Sequence, residues 1–201
     1  MSALTLAAPP QMLHHTAYVT HDVAATCDFY TRVLRMQLVS SVIDDAIPST
    51  GDPFPYIHIF FELGDGSTIA FFESLDLPPL EPVSHPAYDI FNHLALNAGS
   101  VAAVHDWAKH LTAEGVDFIG PVEHGIITSI YFRDPNNLRL ELTADVIPEW
   151  KQHGARAAQD VADWQALKEQ SRREGNHDGV IDWIKQRRLT RPDHAPDHLG
   201  D

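Results

Sequence analysis

The sequence has one cysteine, no long apolar run and few basic residues over most of its length. Cys27 is the only cysteine among 201 residues, so an internal disulfide is excluded. Its place on the apolar side of a predicted helix indicates a small buried hydrophobe rather than a reactive thiol. No stretch approaches the ~18–20 apolar residues that a membrane span requires. Met1–Pro10 lacks the basic region that begins a signal peptide. We therefore expect a soluble, cytoplasmic protein.

The shortage of basic residues restricts the partners. The formal net charge is −14, and residues 1–146 hold 5 Lys+Arg against 18 Asp+Glu. Nucleic acids and anionic membranes are bound through basic patches, so neither is expected as a partner. A neutral or aromatic small molecule, or one that docks on a metal, is easier to accommodate in such an acidic body.

A repeat is the most informative feature that is present. The segment that begins at His15 aligns without gaps on the segment that begins at His93, at a constant offset of 78 residues. Val23-Ala24-Ala25 thereby falls on Val101-Ala102-Ala103, and Asp28-Phe29 on Asp106-Trp107. Self-similarity at a fixed offset indicates a duplicated module. Each module contributes one histidine from an apolar strand, which suggests a metal site between the modules.

Apolar periodicity predicts the order βαβββ twice, followed by helices, and hence an α+β fold. Asp22 and Ser100 are predicted to cap the two module helices. We expect a domain over residues 1–146, with modules 12–76 and 90–146, and a helical C-terminal extension over 147–201 that ends in a disordered tail from residue 189. The predicted strands are Leu13–Thr20, Gln37–Ile43, Tyr56–Leu63, Thr68–Glu73, Phe91–Asn97, Val116–Glu123, Thr128–Phe132 and Leu138–Thr143; the predicted helices are Val23–Arg35, Val101–Glu114, Pro148–Arg173 and Val180–Arg188.

Strand alternation selects three candidate metal ligands. Side chains alternate faces along a strand, so Leu140 and Leu142 share one face and Glu141 points the other way. By the same argument His93 lies opposite Leu94 and Leu96, and His15 occupies the equivalent place in the first module. Two imidazoles and one carboxylate suit Fe(II), Mn(II), Zn(II) or Ni(II). His14 is the rival for the first ligand position, and buried histidines bonded to the backbone are the alternative interpretation.

These residues resemble the vicinal oxygen chelate superfamily, which includes glyoxalase I, bleomycin-resistance proteins, fosfomycin-resistance transferases and type I extradiol dioxygenases. The similar stretches are His15-Thr-Ala-Tyr-Val-Thr-His-Asp-Val, Asn92-His93-Leu-Ala-Leu and Ile130-Tyr131-Phe132-Arg133-Asp134-Pro135-Asn136-Asn137-Leu-Arg-Leu-Glu141-Leu. The resemblance covers roughly residues 12–146. It implies two βαβββ modules that form an incomplete β-barrel around a divalent metal, and homodimerisation.

The fourth metal position separates the members of this superfamily. Glyoxalase-like members draw ligands from the first and last strands of both modules, but Ala70 falls where Glu141 falls in the second module. Three protein ligands remain, which resembles the extradiol dioxygenases. The resemblance therefore implies Fe(II) and cleavage of a catechol-like aromatic ring with O2. It also implies that Tyr131 hydrogen-bonds the substrate. His124 and His58 are candidate acid–base residues, and the alternative for each is a strand-end or loop histidine without a catalytic role. Dioxygenases usually carry a histidine at the turn before the last strand of module one, whereas Gly64–Ser67 has none.

Several alternatives stay open. Glu73 is a candidate fourth ligand if a β-bulge turns its side chain to the metal-facing side of the strand. A fourth ligand would favour a glyoxalase-like lyase, isomerase or epimerase. A fosfomycin-resistance-like thiol transferase would need a cationic pocket that the acidic body disfavours. A metal-free binding protein like the bleomycin binders is the remaining class. Phe72 on the cavity face, with Phe54, Tyr56 and Phe60 nearby, forms either an aromatic wall or part of the core.

Overall fold

The computed structural model describes residues 9–75, 77–78, 81 and 83–190. The chain divides into two compact units, one of residues 1–94 with 133–140 and the other of residues 95–132 with 141–201. Along the chain the elements are β1 (His15–Val19), α1 (Val23–Asp28), a π-helical turn (Phe29–Val33), β2 (Gln37–Ala46), β3 (Pro53–Glu62), β4 (Thr68–Glu73), α2 (Pro86–Phe91), β5 (Leu94–Asn97), α3 (Val101–Ala113), β6 (Phe118–Glu123), β7 (Ile127–Arg133), β8 (Arg139–Asp145), a 3-10 turn (Pro148–Gln152), α4 (Gly154–Glu174) and α5 (Asp178–Thr190).

The two four-stranded sheets have equivalent topologies. Their strand orders are β1-β4-β3-β2 and β5-β8-β7-β6, so in both the first strand neighbours the last. In the first sheet β1 runs parallel to β4, and the β4–β3 and β3–β2 pairs are antiparallel. The predicted βαβββ order and the α+β class are therefore confirmed.

The helix caps also repeat. The Asp22 side chain accepts a hydrogen bond from the Ala25 amide at 2.9 Å, and the Ser100 hydroxyl accepts one from the Ala103 amide at 3.1 Å. Both pairs are related by the 78-residue offset found in the sequence. A side-chain oxygen at this position satisfies one of the free amides of the first turn, which fixes where each helix begins.

The core of the first unit lies on one face of its sheet. Tyr30 is fully buried. Its ring stacks on that of Phe61 at 5.0 Å and is tilted against that of Phe71 at 4.9 Å. Ile59, Phe61, Ile69 and Phe71 are buried on this face. By strand alternation the other face carries His15, Ala17, Ala70, Phe72, His58 and Phe60.

The linker between the modules contains a helix that the periodicity does not reveal. His85 caps α2, and Pro86 stands at its first position, where a missing amide costs nothing. The strand predicted over Phe91–Asn97 therefore begins only at Leu94, because Phe91 ends α2. His93 precedes β5 rather than lying within it, which corrects the sequence-based assignment.

The C-terminal extension is helical, as predicted. α4 and α5 pair through the rings of Trp164 and Trp183, whose centroids lie 6.4 Å apart, and through an ion pair between Arg187 and Asp160. Helix α5 continues to Thr190, so the tail predicted to be disordered from residue 189 is helical at its first two positions. Its remainder, residues 191–201, lies outside the described residues. No helix in the described part of the chain is long and apolar enough to cross a membrane.

Candidate metal ligands and the Tyr131–Glu141 site

Glu141 is the most deeply buried of the three predicted ligands. It lies in β8 with 3% of its surface exposed. The Tyr131 hydroxyl on β7 donates a hydrogen bond to Glu141 Oε1 at 3.0 Å. A carboxylate is costly to bury unless it is hydrogen-bonded and faces a positive charge, so this bond and a cation are both expected at such a position.

The exposed His124 also contacts the Tyr131 hydroxyl. Its Nε2 lies 2.8 Å from the Tyr131 hydroxyl oxygen, and its ring is exposed. A phenol has one proton, and a carboxylate can only accept one, so that proton belongs to the bond with Glu141. His124 Nε2 must therefore carry its own proton and donate it to the tyrosine oxygen. His124, Tyr131 and Glu141 form a hydrogen-bonded chain within the second unit.

His93 is oriented by a backbone carbonyl. Its Nδ1 lies 3.0 Å from the Phe91 carbonyl oxygen, which can only accept a hydrogen bond. His93 Nδ1 is therefore the donor, and in the neutral ring the lone pair is on Nε2. Metal-binding histidines are typically held in this way, with the second ring nitrogen donating to a carbonyl or carboxylate.

His15 is held by its neighbour in the sequence. The Nδ1 atoms of His14 and His15 lie 2.8 Å apart, so one of them donates and the other accepts. If His14 accepts, the lone pair of the neutral His15 ring is on Nε2, where a metal can be bound. His14, the rival ligand, thus has an orienting contact with His15.

His58 lies in the middle of β3 rather than at a strand end or in a loop. Its ring stacks on that of Phe72 at 3.5 Å and 16°, and it is 9% exposed. Burial lowers the pKa of His58 from its ordinary value, and the nearby His15 lowers it further. Its neutral form is therefore favoured.

Glu73 has a structural contact. Its Oε2 accepts a hydrogen bond from the Val23 amide, at the first residue of α1, at 3.1 Å. Glu73 thus lies on the helix side of the sheet, opposite His15 and Ala70, as alternation predicts. Sequence reasoning had no signal for this cap, because Glu73 and Val23 are 50 residues apart.

The donor set is chemically suited to a divalent transition metal, since it offers two imidazole nitrogens and one carboxylate. His15 and His93 belong to the first unit and Glu141 to the second. Among the described residues, no three His, Cys, Asp or Glu side chains lie together so that they could hold a metal ion. That His15, His93 and Glu141 bind one metal ion therefore stays a prediction.

A family model matches residues 12–142, and its description is Glyoxalase/Bleomycin resistance protein/Dioxygenase superfamily. The chain belongs to this superfamily. A curated relative, named "Putative ring-cleaving dioxygenase MhqA", from Bacillus subtilis (strain 168), is 27% identical over 138 residues. That match covers 66% of this chain but only 40% of the relative's own length.

Solved structures share the fold of this superfamily. A glyoxylase/bleomycin resistance protein/dioxygenase domain from Frankia sp. EAN1pec matches with a TM-score of 0.55 and 20% identity, over 68% of this chain and 99% of that chain. The fosfomycin resistance protein FosX from Listeria monocytogenes matches with a TM-score of 0.50 and 21% identity, over 71% and 98% of the two chains.

Proposed function

We propose that the protein is a metal-dependent, extradiol-type dioxygenase that cleaves a catechol-like aromatic ring with O2. One observation carries the choice within the superfamily. Glu73 is hydrogen-bonded to the start of α1. By strand alternation, Ala70 on β4 is the residue expected to face as Glu141 does on β8. A fourth protein ligand of the glyoxalase type is therefore disfavoured. Similarity to a relative named as a ring-cleaving dioxygenase supports the same choice.

In this proposal His15, His93 and Glu141 hold the metal. Fe(II) is the expected ion, and the same donors also suit Mn(II), Zn(II) or Ni(II). The hydrogen bond from His93 Nδ1 to the Phe91 carbonyl supports the assignment, because it leaves the lone pair on Nε2. When bound, a divalent metal supplies a Lewis acid that polarises the oxygen atoms of a diol.

Tyr131 and His124 form a hydrogen-bonded chain that ends at the Glu141 carboxylate. The Tyr131 hydroxyl donates to Glu141, and His124 donates to the same hydroxyl. Tyr131 is thereby held in one orientation beside Glu141, and the resemblance implies that it hydrogen-bonds the substrate. His124 is exposed, so it can exchange protons with solvent.

The substrate side of the proposal follows from charge and from aromatic surface. Tyr56, Phe60 and Phe72 are half-buried, on the face opposite the Tyr30 core, and so they form an accessible aromatic surface rather than the core. Residues 1–146 hold only 5 Lys+Arg, which disfavours a phosphonate or another anion as substrate. A neutral, planar diol fits both observations.

The test is ring cleavage by the iron-loaded protein. Protein loaded anaerobically with Fe(II) is mixed in air with catechol and with 2,3-dihydroxybiphenyl, and the yellow ring-fission product is followed by absorbance. We expect turnover by the wild type, loss of at least 100-fold in Glu141→Gln, and retained turnover in Glu73→Gln. A panel of diols that gives no ring-fission product with iron-loaded wild type would contradict the proposal.

A further inference from the structure

One face of the first sheet carries a histidine between two phenylalanine rings. His58 on β3 pairs with Phe72 on β4, and their rings are 3.5 Å apart and nearly parallel at 16°. The Phe60 ring lies 4.1 Å from the His58 ring on the same face. Tyr56 meets Phe72 edge-on at 5.4 Å. We refer to these four residues, Tyr56, His58, Phe60 and Phe72, as the His58 face.

The His58 ring contains a polar atom whose bonding capacity is unused. His58 is 9% exposed, and its buried Nε2 has no hydrogen-bond partner. Buried polar atoms in native structures are nearly always bonded, and those that are not require an explanation. A polar group on an aromatic ligand that packs among these rings would satisfy this atom.

The surroundings decide which polar group fits. The neutral ring presents either an N–H or a lone pair at Nε2, and a hydroxyl can satisfy both because it donates and accepts. Phe60 and Phe72 offer flat apolar surfaces, which favour a planar ring in an offset or edge-on arrangement. Only two basic residues, Arg32 and Arg35, occur within residues 12–76, so an anionic ligand is disfavoured.

We propose that the His58 face binds a neutral hydroxylated aromatic ring, whose hydroxyl group hydrogen-bonds to His58 Nε2. The inference rests on the proposed function in one respect, since a catechol-like substrate belongs to this ligand class. His15, one of the proposed metal ligands, borders the face, with its ring centroid 6.3 Å from that of His58 and 6.1 Å from that of Phe60. His58 is then a specificity-determining residue that selects ligands with a hydroxyl group.

The test compares two ligands on protein without added metal. 2-Naphthol and 2-fluoronaphthalene have the same ring system, but only the first carries a hydroxyl. Binding is measured by NMR titration with the wild type, with His58→Phe and with the matched control His105→Phe, which changes an exposed histidine on α3. We expect the wild type and the control to bind 2-naphthol about 3- to 10-fold more tightly than the fluoride, as one added hydrogen bond gives. The ratio should fall to about 1 in His58→Phe.

Two results would overturn the inference. One is equal binding of both ligands by the wild type, and the other is an unchanged ratio in His58→Phe that melts like the wild type. If His58→Phe does not fold, nuclear Overhauser contacts between 2-naphthol and the Phe60 and Phe72 rings of the wild type decide, and their absence would also overturn it. Hydroxyl selectivity in a protein that cleaves no diol would leave this site standing and remove the proposed function. Ring cleavage without hydroxyl selectivity at His58 would leave the proposed function standing and remove this site.

Discussion

At the scale of single residues, the number of protons on each group decides which group donates and which accepts a hydrogen bond. Tyr131 has one proton, and the Glu141 carboxylate accepts it at 3.0 Å. The contact between Tyr131 and His124, at 2.8 Å, therefore needs a proton from the histidine. These two contacts and the proton count together identify the donor and the acceptor in each hydrogen bond.

The first prediction concerns the tautomer of His124. We expect its neutral ring to carry the proton on Nε2, because the Tyr131 oxygen has no proton left to donate to it. Long-range proton–nitrogen NMR spectra distinguish the two tautomers directly. In Tyr131→Phe the preference should disappear. A neutral His124 that carries its proton on Nδ1 in the wild type would contradict this assignment.

The second prediction concerns the energy of the Tyr131–Glu141 bond. Removal of the hydroxyl in Tyr131→Phe takes a donor from a buried carboxylate, and bonds to charged groups contribute about 1.5–3 kcal/mol. A double-mutant cycle with Glu141→Leu, which removes the acceptor, isolates the pairwise energy when it is measured by urea unfolding. We expect a coupling energy of about 1–2 kcal/mol. Strictly additive effects of the two substitutions would show that the contact contributes nothing.

At the scale of elements, loops and strand ends fix where the helices lie. Glu73 ends β4 and accepts a hydrogen bond from the first residue of α1. The turn that begins at Asp134 is tied to the π-helical turn by the hydrogen bond from the Tyr30 hydroxyl to the Asp134 carboxylate, at 3.3 Å. Both anchors lie within the first unit.

The third prediction distinguishes a cap from a ligand at Glu73. Glu73→Ala should lower the free energy of unfolding by about 1 kcal/mol, because α1 loses both a cap and a negative charge at its N-terminus. Metal stoichiometry should not change. Glu62→Ala, at an exposed acid on the neighbouring β3, serves as the control and should be close to neutral. Loss of metal from Glu73→Ala would instead identify Glu73 as a ligand.

The fourth prediction is a pH dependence at Asp134. Burial raises the pKa of Asp134 from 3.8, and hydrogen bonds from Asn136, Leu138 and Tyr30 oppose that shift in part. The folded state therefore holds the proton to a higher pH than the unfolded state does. The stabilisation is complete below pH 3.8 and is lost as the pH rises through the folded pKa.

The experiment compares Asp134→Asn with the wild type. The free energy of unfolding of the wild type minus that of the variant should decrease as the pH rises above 3.8. Urea titrations at several pH values give this difference. Asp65→Asn is the control, because hydrogen bonds from Ser67 lower the pKa of this exposed acid. Its difference should rise with pH up to 3.8 and stay nearly constant above it. A difference that does not vary with pH would contradict the assignment.

Particular elements show what the sequence could predict. Strand β4 is found at its predicted bounds, Thr68–Glu73, because its apolar residues are dense and a Gly-containing turn precedes it. Helix α2 was missed, since prolines in the linker suggested a loop although Pro86 suits the first position of a helix. The π-helical turn at Phe29–Val33 carries Tyr30, which packs against Phe61 and Phe71 on distant strands, and no local pattern encodes such contacts.

The candidate site was predictable only in part. Alternation places Ala70 and Glu141 on definable faces. The resemblance implies a bond from Tyr131 to the substrate, but the hydrogen bond from Tyr131 to Glu141 was not predicted. The cap between Glu73 and Val23, and the bond between His124 and Tyr131, depend on how separate segments pack. Periodicity describes one segment at a time, so it carries no information on such contacts.

At the scale of the whole molecule, duplication explains both the fold and the proposed metal ligands. The two copies have the same strand order, and an equivalent side chain caps the helix in each. The candidate ligands His15 and His93 are related by the 78-residue offset. By strand alternation, the equivalent face of the last strand carries Ala70 in the first module and Glu141 in the second. The proposed function depends on this asymmetry, because it leaves three protein ligands where a symmetric duplication would give four.

The most direct test of this account is the metal content of the protein itself. Protein purified without a histidine tag is dialysed against Fe(II) or Mn(II) under anaerobic conditions, and bound metal per chain is measured by plasma emission spectrometry. We predict one ion per chain for the wild type and for His105→Ala, and loss of the ion in His15→Ala, His93→Ala and Glu141→Gln. A wild type that binds no metal, or variants that all keep one, would contradict the central claim.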